Sequence, residues 1–437
     1  MAAGTPITMI EPILFRRQDT LSPEQALYWK DLLYRTLKIG TEIEFALPKG
    51  ARKQDVLPPL DAALQPTKNL TSMGKYGVLD IVSEHCGLEI QVLGRQPYYP
   101  ALYKQYRDIF NLLPAGIRAR PTCGLHYHIL PIGLSESVPE IILANIWNLV
   151  RRYAPALKYL TSGGDQMSAL CRRRNHNSHL EMVRLSPGSL TMQQIYQQLH
   201  DSKVVPEHQN FLNLEHVRFD SQGAVSDFHL EFRFCDADLS PISITAKTFL
   251  FLAMILKAVE MSQYGVIHVG RIREWRRKEE LLNMLSNNDG PLATSDTSQV
   301  TPDVLEELRA GCRELLALLK PILTRFEHNP SFAGLSLLAE TPISLLRIAG
   351  HDWPAIEALL STCAEALPVE LDQTDRRLMQ CIELAELTGY PTATDWQQAA
   401  ARELFLPPQE LAQCLQKLNG LRGMTWDPAL GTMLFNR

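Results

Sequence analysis

The sequence lacks the glycine-rich motifs of two common nucleotide-binding folds. Neither Gly-x-Gly-x-x-Gly nor Gly-x-x-x-x-Gly-Lys-Ser/Thr occurs in its 437 residues. Both motifs depend on glycines that let backbone amides approach a phosphate, so a Rossmann or P-loop nucleotide site is excluded. His-Glu-x-x-His and Gly-x-Ser-x-Gly are also missing, which removes the usual metalloprotease and serine hydrolase motifs.

Cysteine spacings that would hold zinc are missing as well. The eight cysteines are scattered along the chain, with no Cys-x-x-Cys among them. A disulfide framework or a zinc knuckle is therefore not predicted, and reduced thiols in a cytoplasm fit better. Cys123 lies three residues before His126, and in a strand such an odd offset puts the two side chains on opposite faces. We therefore expect Cys123 to be packed rather than nucleophilic.

Long runs of one charge sign and long apolar runs are also absent. Lys and Arg number 43 against 48 Asp and Glu, and no five like charges are consecutive. A nucleic-acid or anionic-lipid surface is therefore not predicted. The most apolar uninterrupted run, 248–256, is far shorter than the ~20 residues that span a bilayer. With no secretory signal pattern at its start, the chain is expected to be a soluble cytoplasmic protein without membrane contact.

Local signals divide the chain into a mixed body and a helical remainder. Ser22, Pro23 and Gln25 have the spacing of a capped helix start. Strand-like segments then alternate with helical ones near 100–113, 138–161 and 191–201, and a long apolar helix follows at 241–264. A polar stretch beginning at Asn287 contains Asp-Gly-Pro and marks a linker. We predict an α+β domain over 1–286, a linker over 287–301 and a mostly helical C-terminal region over 302–437.

The end of the C-terminal region has a further pattern. Two helical segments and a hairpin-like segment at 390–437 are compatible with a winged-helix module. The second helix, however, offers only Gln409, Gln413, Gln416 and Lys417 as groove contacts, and duplex DNA calls for more Arg and Lys. We therefore expect this region to contact a protein partner or a second copy of the chain, or to be structural, rather than to read DNA.

Four short segments share a pattern that concentrates charged residues on one strand face. Side chains alternate between faces along a strand, so residues two apart point the same way. In each segment apolar residues take one face and polar residues take the other. The polar positions are Glu42 and Glu44, Glu89 and Gln91, His126 and His128, and Glu231 and Arg233.

Taken singly, each segment is typical of a solvated strand face, but four together would converge on one side of a sheet. Carboxylate oxygens with an occasional imidazole suit Mg²⁺ or Mn²⁺, and crowded carboxylates need a cation to offset their repulsion. Arg233 beside them would suit an anionic group such as a phosphate. The pattern therefore indicates a divalent metal used together with nucleotide phosphates.

The ordered set resembles the amidoligase family of the glutamine synthetase and glutamate–cysteine ligase superfamily. The family pattern runs Gly-x-Glu-x-Glu-Phe, an Asp and a Glu in a strand pair, Cys-Gly-x-His-x-His, Asn-Leu and Glu-Phe-Arg-Phe. The match spans roughly 37–262. One departure is that Asp80 is followed by Ile-Val-Ser where the family has Asp-Gly-Ser. The matching residues are Glu42, Glu44, Asp80, Glu89, His126, His128, Asn213, Glu231 and Arg233.

The resemblance implies a glutamine-synthetase-like antiparallel catalytic sheet with flanking helices, and an ATP-dependent, ADP-forming ligase that joins a carboxylate to an amine through an acyl phosphate. It assigns one metal, near the acceptor carboxylate, to Glu44 and Glu89. It assigns a second, on the ATP phosphates, to Glu42, Glu231 and one of the pair His126 and His128. Arg233 would face the transferring phosphoryl group. Asn213 and the basic cluster Arg172, Arg173 and Arg174 would complete the nucleotide site.

Several alternatives stay open. The basic cluster at 172–174 also fits a solvated loop. A metal- or nucleotide-binding protein without ligase activity, recruiting a partner through its helical region, would carry the same motifs. So would a hydrolase whose metal-bound water is the nucleophile. The substrates are not identified, because a peptide or protein side chain, a small amino acid and a polyamine all satisfy the pattern.

Overall fold

The structure is a computed structural model of the full chain. It describes residues 14–16, 20–67, 75–114, 116–117, 123–161, 193, 212–237, 239, 241–270, 273–274, 276–278, 280–281, 302–325, 331–332, 335–336, 378, 407–420, 424–427 and 432–435. Three predicted features lie outside these described residues. They are the helix at 191–201 apart from position 193, the linker at 287–301 and the basic cluster at 172–174.

A six-stranded antiparallel sheet forms the centre of the described structure. Its strands are β2 (Leu37–Phe45), β3 (Val78–Glu84), β4 (Gly87–Arg95), β5 (Gly124–Pro131), β6 (Leu212–Phe219) and β7 (Val225–Asp236). The spatial order is β3-β4-β2-β5-β7-β6, and every neighbouring pair is antiparallel. The predicted α+β class with an antiparallel sheet is therefore confirmed, while the glutamine-synthetase-like arrangement stays a prediction. Separately, β1 (Leu14–Arg16) pairs with β8 (Val266–Ile267).

Helices occupy the segments between the strands and the region beyond them. They are α1 (Pro23–Thr36), α2 (Lys53–Leu64), α3 (Tyr99–Phe110), α4 (Glu140–Arg152), α5 (Ala154–Leu160), α6 (Pro241–Met261), α7 (Pro302–Leu323) and α8 (Pro408–Leu418). None of the described helices is long and apolar enough to cross a membrane.

The start of α1 and the break between α4 and α5 both follow from local sequence. Ser22 caps α1 and forms the predicted capping box with Gln25. The helical segment expected near 138–161 is confirmed, and it consists of two helices because the chain leaves helical geometry at Tyr153. Pro155 lies in the first turn of the second helix and has no backbone N–H with which to continue the first one. The break within the segment was not predicted, and proline is its physical reason.

One face of the sheet is apolar and packs against α3 and α6. The ring of Phe251 on α6 lies 4.9 Å from Tyr127 of β5 and 4.4 Å from Phe232 of β7, measured between centroids. Thr41 of β2 is hydrogen-bonded to the hydroxyl of Tyr106 on α3 at 3.2 Å. All five side chains are buried. Because strand side chains alternate, burying this face commits the residues at the intervening positions to the opposite face.

Helix α7 shares this core although it follows the predicted linker. Its residues Leu308, Leu315 and Leu319 are buried. A Cβ built on Gly311 would lie 3.3 Å from the Cβ of Ala156 on α5, so the two helices approach closely. The hydroxyl of Tyr153 also donates to Glu314 at 2.8 Å. The domain boundaries at 286 and 302 stay predictions, but α7 packs as part of the body.

Replacing Leu315 by aspartate should therefore destabilise the whole body. Leu315 is fully buried, so the change removes apolar contacts and buries a charge, at an expected cost of about 3 kcal/mol or more. Thermal unfolding followed by circular dichroism measures this cost. Ala317 is exposed on the same helix, and Ala317→Asp is the matched control. An equally small effect of both variants would show that α7 does not contribute to the core.

The C-terminal region contains the helix and the hairpin that the sequence suggests. Helix α8 ends at Leu418, and β9 (Met424–Asp427) pairs with β10 (Thr432–Phe435) in an antiparallel hairpin. The preceding helix of the suggested winged-helix module lies outside the described residues. That interpretation, together with its expected role in partner contact, stays a prediction.

Candidate metal centre

The strand register places the polar positions of the four segments opposite one another. Strands β2, β5 and β7 are consecutive neighbours in the sheet, and β4 flanks β2 on its other side. Side chains directly across an antiparallel pair point to the same face with Cβ atoms about 4.5–5.5 Å apart. The cross-strand pairs are Glu42 with His126, Glu42 with Gln91, Glu44 with Glu89, and His128 with Glu231.

Four of these side chains form a cluster. Each of Glu42, His126, His128 and Glu231 offers one potential ligand atom, and the four atoms lie within 4.8 Å of one another. Nδ1 of His126 lies 2.9 Å from Oε2 of Glu42 and 3.2 Å from Oε1 of Glu231. Nε2 of His128 lies 3.3 Å from Oε2 of Glu42. Both histidines belong to the cluster, whereas the resemblance assigns only one of them to a single metal.

The two carboxylates of the cluster are held in the ionised form. Burial opposes ionisation of Glu42, but hydrogen bonds from His126 and His128 outweigh it and hold the pKa of that carboxyl below its usual range. Burial likewise opposes ionisation of Glu231, yet hydrogen bonds from His126 and Arg233 lower its pKa. Ionised oxygen donors are the form that a divalent cation requires.

Arg233 lies against the cluster and partly neutralises it. Its Nη1 donates to Oε1 of Glu231, which is the same oxygen that lies nearest to His126. The Arg233 side chain keeps 18% of its surface exposed, while Glu231 is fully buried. A guanidinium beside the carboxylates and partly open to solvent is positioned to contact an anionic group that arrives with a metal.

The cluster fits a divalent cation in two respects. Oε2 of Glu231 is buried and has no hydrogen-bond partner among the described residues, and such an atom costs about 1–3 kcal/mol or more unless something satisfies it. The donor set combines two carboxylates with two imidazoles. Imidazole nitrogen suits first-row transition ions, whereas carboxylate suits Mg²⁺ and Mn²⁺. Among the two predicted ions, the mixture favours Mn²⁺ over Mg²⁺.

Glu44 and Glu89 lie beside the cluster but outside it. Oε2 of Glu44 accepts the backbone N–H of Gly124 at 2.7 Å, and its Oε1 lies 3.8 Å from Nε2 of His126. Oε1 of Glu89 accepts from the amide of Gln91 at 3.0 Å. The two glutamates are cross-strand neighbours of each other. Their assignment to a second metal therefore stays a prediction, since the cluster formed by described residues does not include them.

The environment of Glu89 favours its neutral form. Burial, followed by the negative charge of Glu42, raises the pKa of Glu89 to about 7. At pH values between the ordinary pKa of a glutamate and about 7, Glu89 keeps its proton in the native state but has lost it in the unfolded chain. Stability therefore falls as pH rises through this interval, and the penalty persists at higher pH.

Glu89→Gln should accordingly stabilise the metal-free protein at about pH 8 and change little at about pH 4. The expected gain is roughly 2–3 kcal/mol, since each unit of pKa shift corresponds to about 1.4 kcal/mol. Thermal melts in the presence of a chelator, at both pH values, measure it. Exposed Glu410 provides a control, because Glu410→Gln should have no effect at either pH. A loss of stability at about pH 8 would show that the Glu89 carboxylate is stabilising and ionised.

The other residues predicted for the site either lie outside the metal cluster or lie outside the described part of the chain. Asp80 of β3 is opposite Gln91, and its Oδ1 accepts the backbone N–H of Ile81 at 2.8 Å. It is not a member of the cluster. Asn213 of β6 is the backbone partner of Glu231 in the register. The structure does not describe Arg172, Arg173 and Arg174, so their proposed contact with phosphates stays untested.

The sequence reasoning missed one neighbour of the cluster. Nε2 of His229 lies 3.0 Å from Nδ1 of His128. His229 precedes Glu231 by two positions on β7, so the same alternation that placed Glu231 and Arg233 together would also have placed His229 on their face.

Cys123 is packed, as expected. It is buried with Ala46 and Ala237, and Cys86 packs against this group. A hydrogen bond with Cys123 and then burial raise the pKa of the Cys86 thiol. Cys86 also lies 3.6 Å from Oε2 of Glu44. A thiol whose pKa is raised is a poor nucleophile, so thiol catalysis is not supported at this end of the site.

Comparisons with known proteins do not identify the family of this chain. No family model matches the chain, and no curated protein matches it. A bifunctional glutathione synthetase from Pasteurella multocida is similar with a TM-score of 0.38 and 14% identity over 84% of this chain. The complex of the prokaryotic ubiquitin-like protein Pup with its ligase PafA gives a TM-score of 0.39 and 11% identity, over 91% of this chain and 86% of the matched one.

Values this low do not establish a shared fold. The chain also spans only 58% of the length of the glutathione synthetase. The amidoligase family therefore remains a resemblance in motifs, and the geometry of the cluster carries the functional argument.

Proposed function

We propose that this protein is an ATP-dependent ligase that joins a carboxylate to an amine, with a divalent cation held on the polar face of the sheet. The observation that carries the proposal is the cluster of Glu42, His126, His128 and Glu231, with Arg233 against it. Phosphoryl transfer needs mainly positioning and charge neutralisation. Two ionised carboxylates, of which Glu231 is fully buried, beside a guanidinium suit that need.

The four cluster residues would hold the metal. When bound, a divalent cation neutralises charge on the ATP phosphates and on the oxygens that develop charge during transfer. Glu42 and Glu231 supply two negative charges, so a divalent cation would be balanced without further acidic groups. The imidazoles of His126 and His128 complete the donor set through neutral nitrogens.

Arg233 would stabilise the transferring phosphoryl group. In the metal-free protein its guanidinium is paired with Glu231, and a metal that takes over Glu231 would leave the guanidinium available to a phosphate oxygen. A charge held in place before reaction needs no reorganisation when negative charge develops. We assign Arg233 as the catalytic residue that touches the reacting phosphate.

Glu44 and Glu89 would serve the acceptor side of the same face. In the proposed reaction an oxygen of the substrate carboxylate attacks the γ-phosphorus and ADP leaves. The amine then attacks the carbonyl carbon of the acyl phosphate, and inorganic phosphate leaves with the former carboxylate oxygen. The candidate substrates are peptide or protein side chains, free amino acids and polyamines. We assign the catalytic domain to residues 1–286.

An ADP-release screen over pooled carboxylates and amines tests the proposal. With Mn²⁺ or Mg²⁺ present, we expect ADP release that requires both a carboxylate and an amine. A carboxylate labelled with ¹⁸O should then deliver one labelled oxygen to the phosphate that is released. Nucleotide binding without ADP release in any pool would favour the binding-protein alternative. Substrate hydrolysis that needs metal but not ATP would favour the hydrolase.

A further inference from the structure

The two ring nitrogens of His128 have different neighbours. Nε2 faces the cluster, at 3.3 Å from Oε2 of Glu42 and 3.8 Å from Oε1 of Glu231. Nδ1 faces away from it and lies 3.0 Å from Nε2 of His229. The planes of the two rings are tilted by 52° and their centroids are 5.1 Å apart, so the rings are not stacked.

This geometry constrains where the protons lie. A neutral imidazole carries one N–H and one lone pair. A histidine that binds a metal through Nε2 must therefore carry its proton on Nδ1, and metal-binding histidines almost always donate that proton to a nearby acceptor. Here the atom at hydrogen-bond distance from Nδ1 is Nε2 of His229, which accepts only when the His229 proton is on its own Nδ1.

We propose that His229 is a positioning residue that accepts the Nδ1–H of His128 and so fixes the tautomer and ring orientation in which His128 Nε2 faces the metal centre. This inference rests on the proposed metal site and adds a residue that the motif set does not contain. An imidazole acceptor is uncharged. His229 therefore orients the ligand without adding a further negative charge beside Glu42 and Glu231.

The position of His229 supports this role. It is on β7, two residues before Glu231, so one strand carries both a cluster carboxylate and the residue that orients a cluster histidine. His128 is opposite Glu231 in the neighbouring strand β5. The spacing between His229 and the cluster is thus fixed by the sheet ladder rather than by a loop.

The test is calorimetric titration of Mn²⁺ into the full chain after removal of metal by chelation. His229→Ala should weaken Mn²⁺ binding by about 10- to 100-fold, the usual cost of removing a group that orients a metal-binding histidine. His229→Gln should restore most of the affinity, because its Oε1 reaches the place of Nε2 and accepts a hydrogen bond. His229→Asn, whose amide oxygen stops near the place of Nδ1, should behave like His229→Ala.

A second readout does not depend on metal. Long-range ¹H–¹⁵N correlation spectra of histidine rings report which nitrogen carries the proton, and metal-free wild-type protein should show His128 protonated on Nδ1. In His229→Ala, the preference of His128 for a proton on Nδ1 should be lost. Equal Mn²⁺ affinity in wild type and His229→Ala, or a His128 Nδ1 that carries no proton in the wild type, would overturn the role of His229. Absence of Mn²⁺ binding to the wild type would instead overturn the proposed metal site itself.

Discussion

Replacing Arg233 by alanine should lower the ligase turnover by about two to three powers of ten while changing ATP affinity much less. Arg233 contacts Glu231 in the metal-free protein and keeps part of its guanidinium exposed. A contact that strengthens as charge develops on the transferring phosphoryl group affects kcat more than binding. Mn²⁺ affinity should not fall, since Arg233 pairs with Glu231 and would compete with a metal for that carboxylate rather than help to bind it.

The measurement is ADP release at saturating substrates, alongside calorimetric titration of ATP with metal. Arg218 on the neighbouring strand β6 is exposed, and Arg218→Ala is the matched control that should retain full turnover. Arg233→Lys keeps the charge but loses the planar fork, so it should recover only part of the rate. Equal proportional losses of binding and turnover in Arg233→Ala would make this residue a ground-state anchor and would remove its assigned role in the transition state.

Glu231→Gln should weaken Mn²⁺ binding by about 100-fold or more. Removing a group that merely orients a metal ligand costs about 10- to 100-fold, and Glu231 is itself a fully buried member of the cluster. The substitution keeps the shape of the side chain and removes the charge that a divalent cation would balance. Calorimetric titration of Mn²⁺ into the chelator-treated protein measures the change.

The control for this variant lies on the same strand. Asp227→Asn also removes one carboxylate from β7, four positions before Glu231 and outside the cluster. It should leave Mn²⁺ affinity unchanged. Because Glu231→Gln also breaks an ion pair with Arg233, melting of both metal-free variants must be recorded to show that each is folded. Wild-type affinity in a folded Glu231→Gln protein would show that the cluster does not bind the metal.

Much of the site follows from the two-residue period of strands. Strands β2 and β5 turn one face towards α3 and α6. Because side chains alternate along a strand, the pairs Glu42–Glu44 and His126–His128 lie on the opposite face. Period alone cannot say which strands become neighbours, because pairing between β5 and β7 joins segments about a hundred residues apart. The pairing of β5 with β7 was therefore not predicted, and the observed register supplies it.

The division of ligands could not be read from the sequence. Glu44 and Glu89 alternate with the same period as Glu42, yet a backbone amide of Gly124 and the side chain of Gln91 hold them outside the cluster. A register shift between Leu125 and Tyr127 alters the alignment of β5 with β7 close to His126. Such shifts arise from pairing and twist across the sheet, and the sequence of neither strand predicts this one.

The relation of α7 to the body is similarly non-local. A polar breaker stretch predicts a linker, and a linker commonly separates domains. Leu315 is nevertheless buried in the core, and Gly311 lies close to Ala156 of α5. The spacing of apolar residues along α7 shows that this helix has an apolar stripe. It does not show against which surface that stripe packs.

Thermal unfolding with nucleotide, metal and both together tests the central claim most directly, because it needs no identified substrate. A ligand that binds only the native state at about 100 times its Kd adds about 2.7 kcal/mol to stability. If the cluster holds a cation that in turn holds the ATP phosphates, ATP in chelator should leave the melting temperature unchanged. ATP with Mn²⁺ should raise it beyond the effect of Mn²⁺ alone, and Glu231→Gln should abolish the additional rise. Equal stabilisation by ATP with and without a divalent cation would contradict the claim that this face binds nucleotide through a metal.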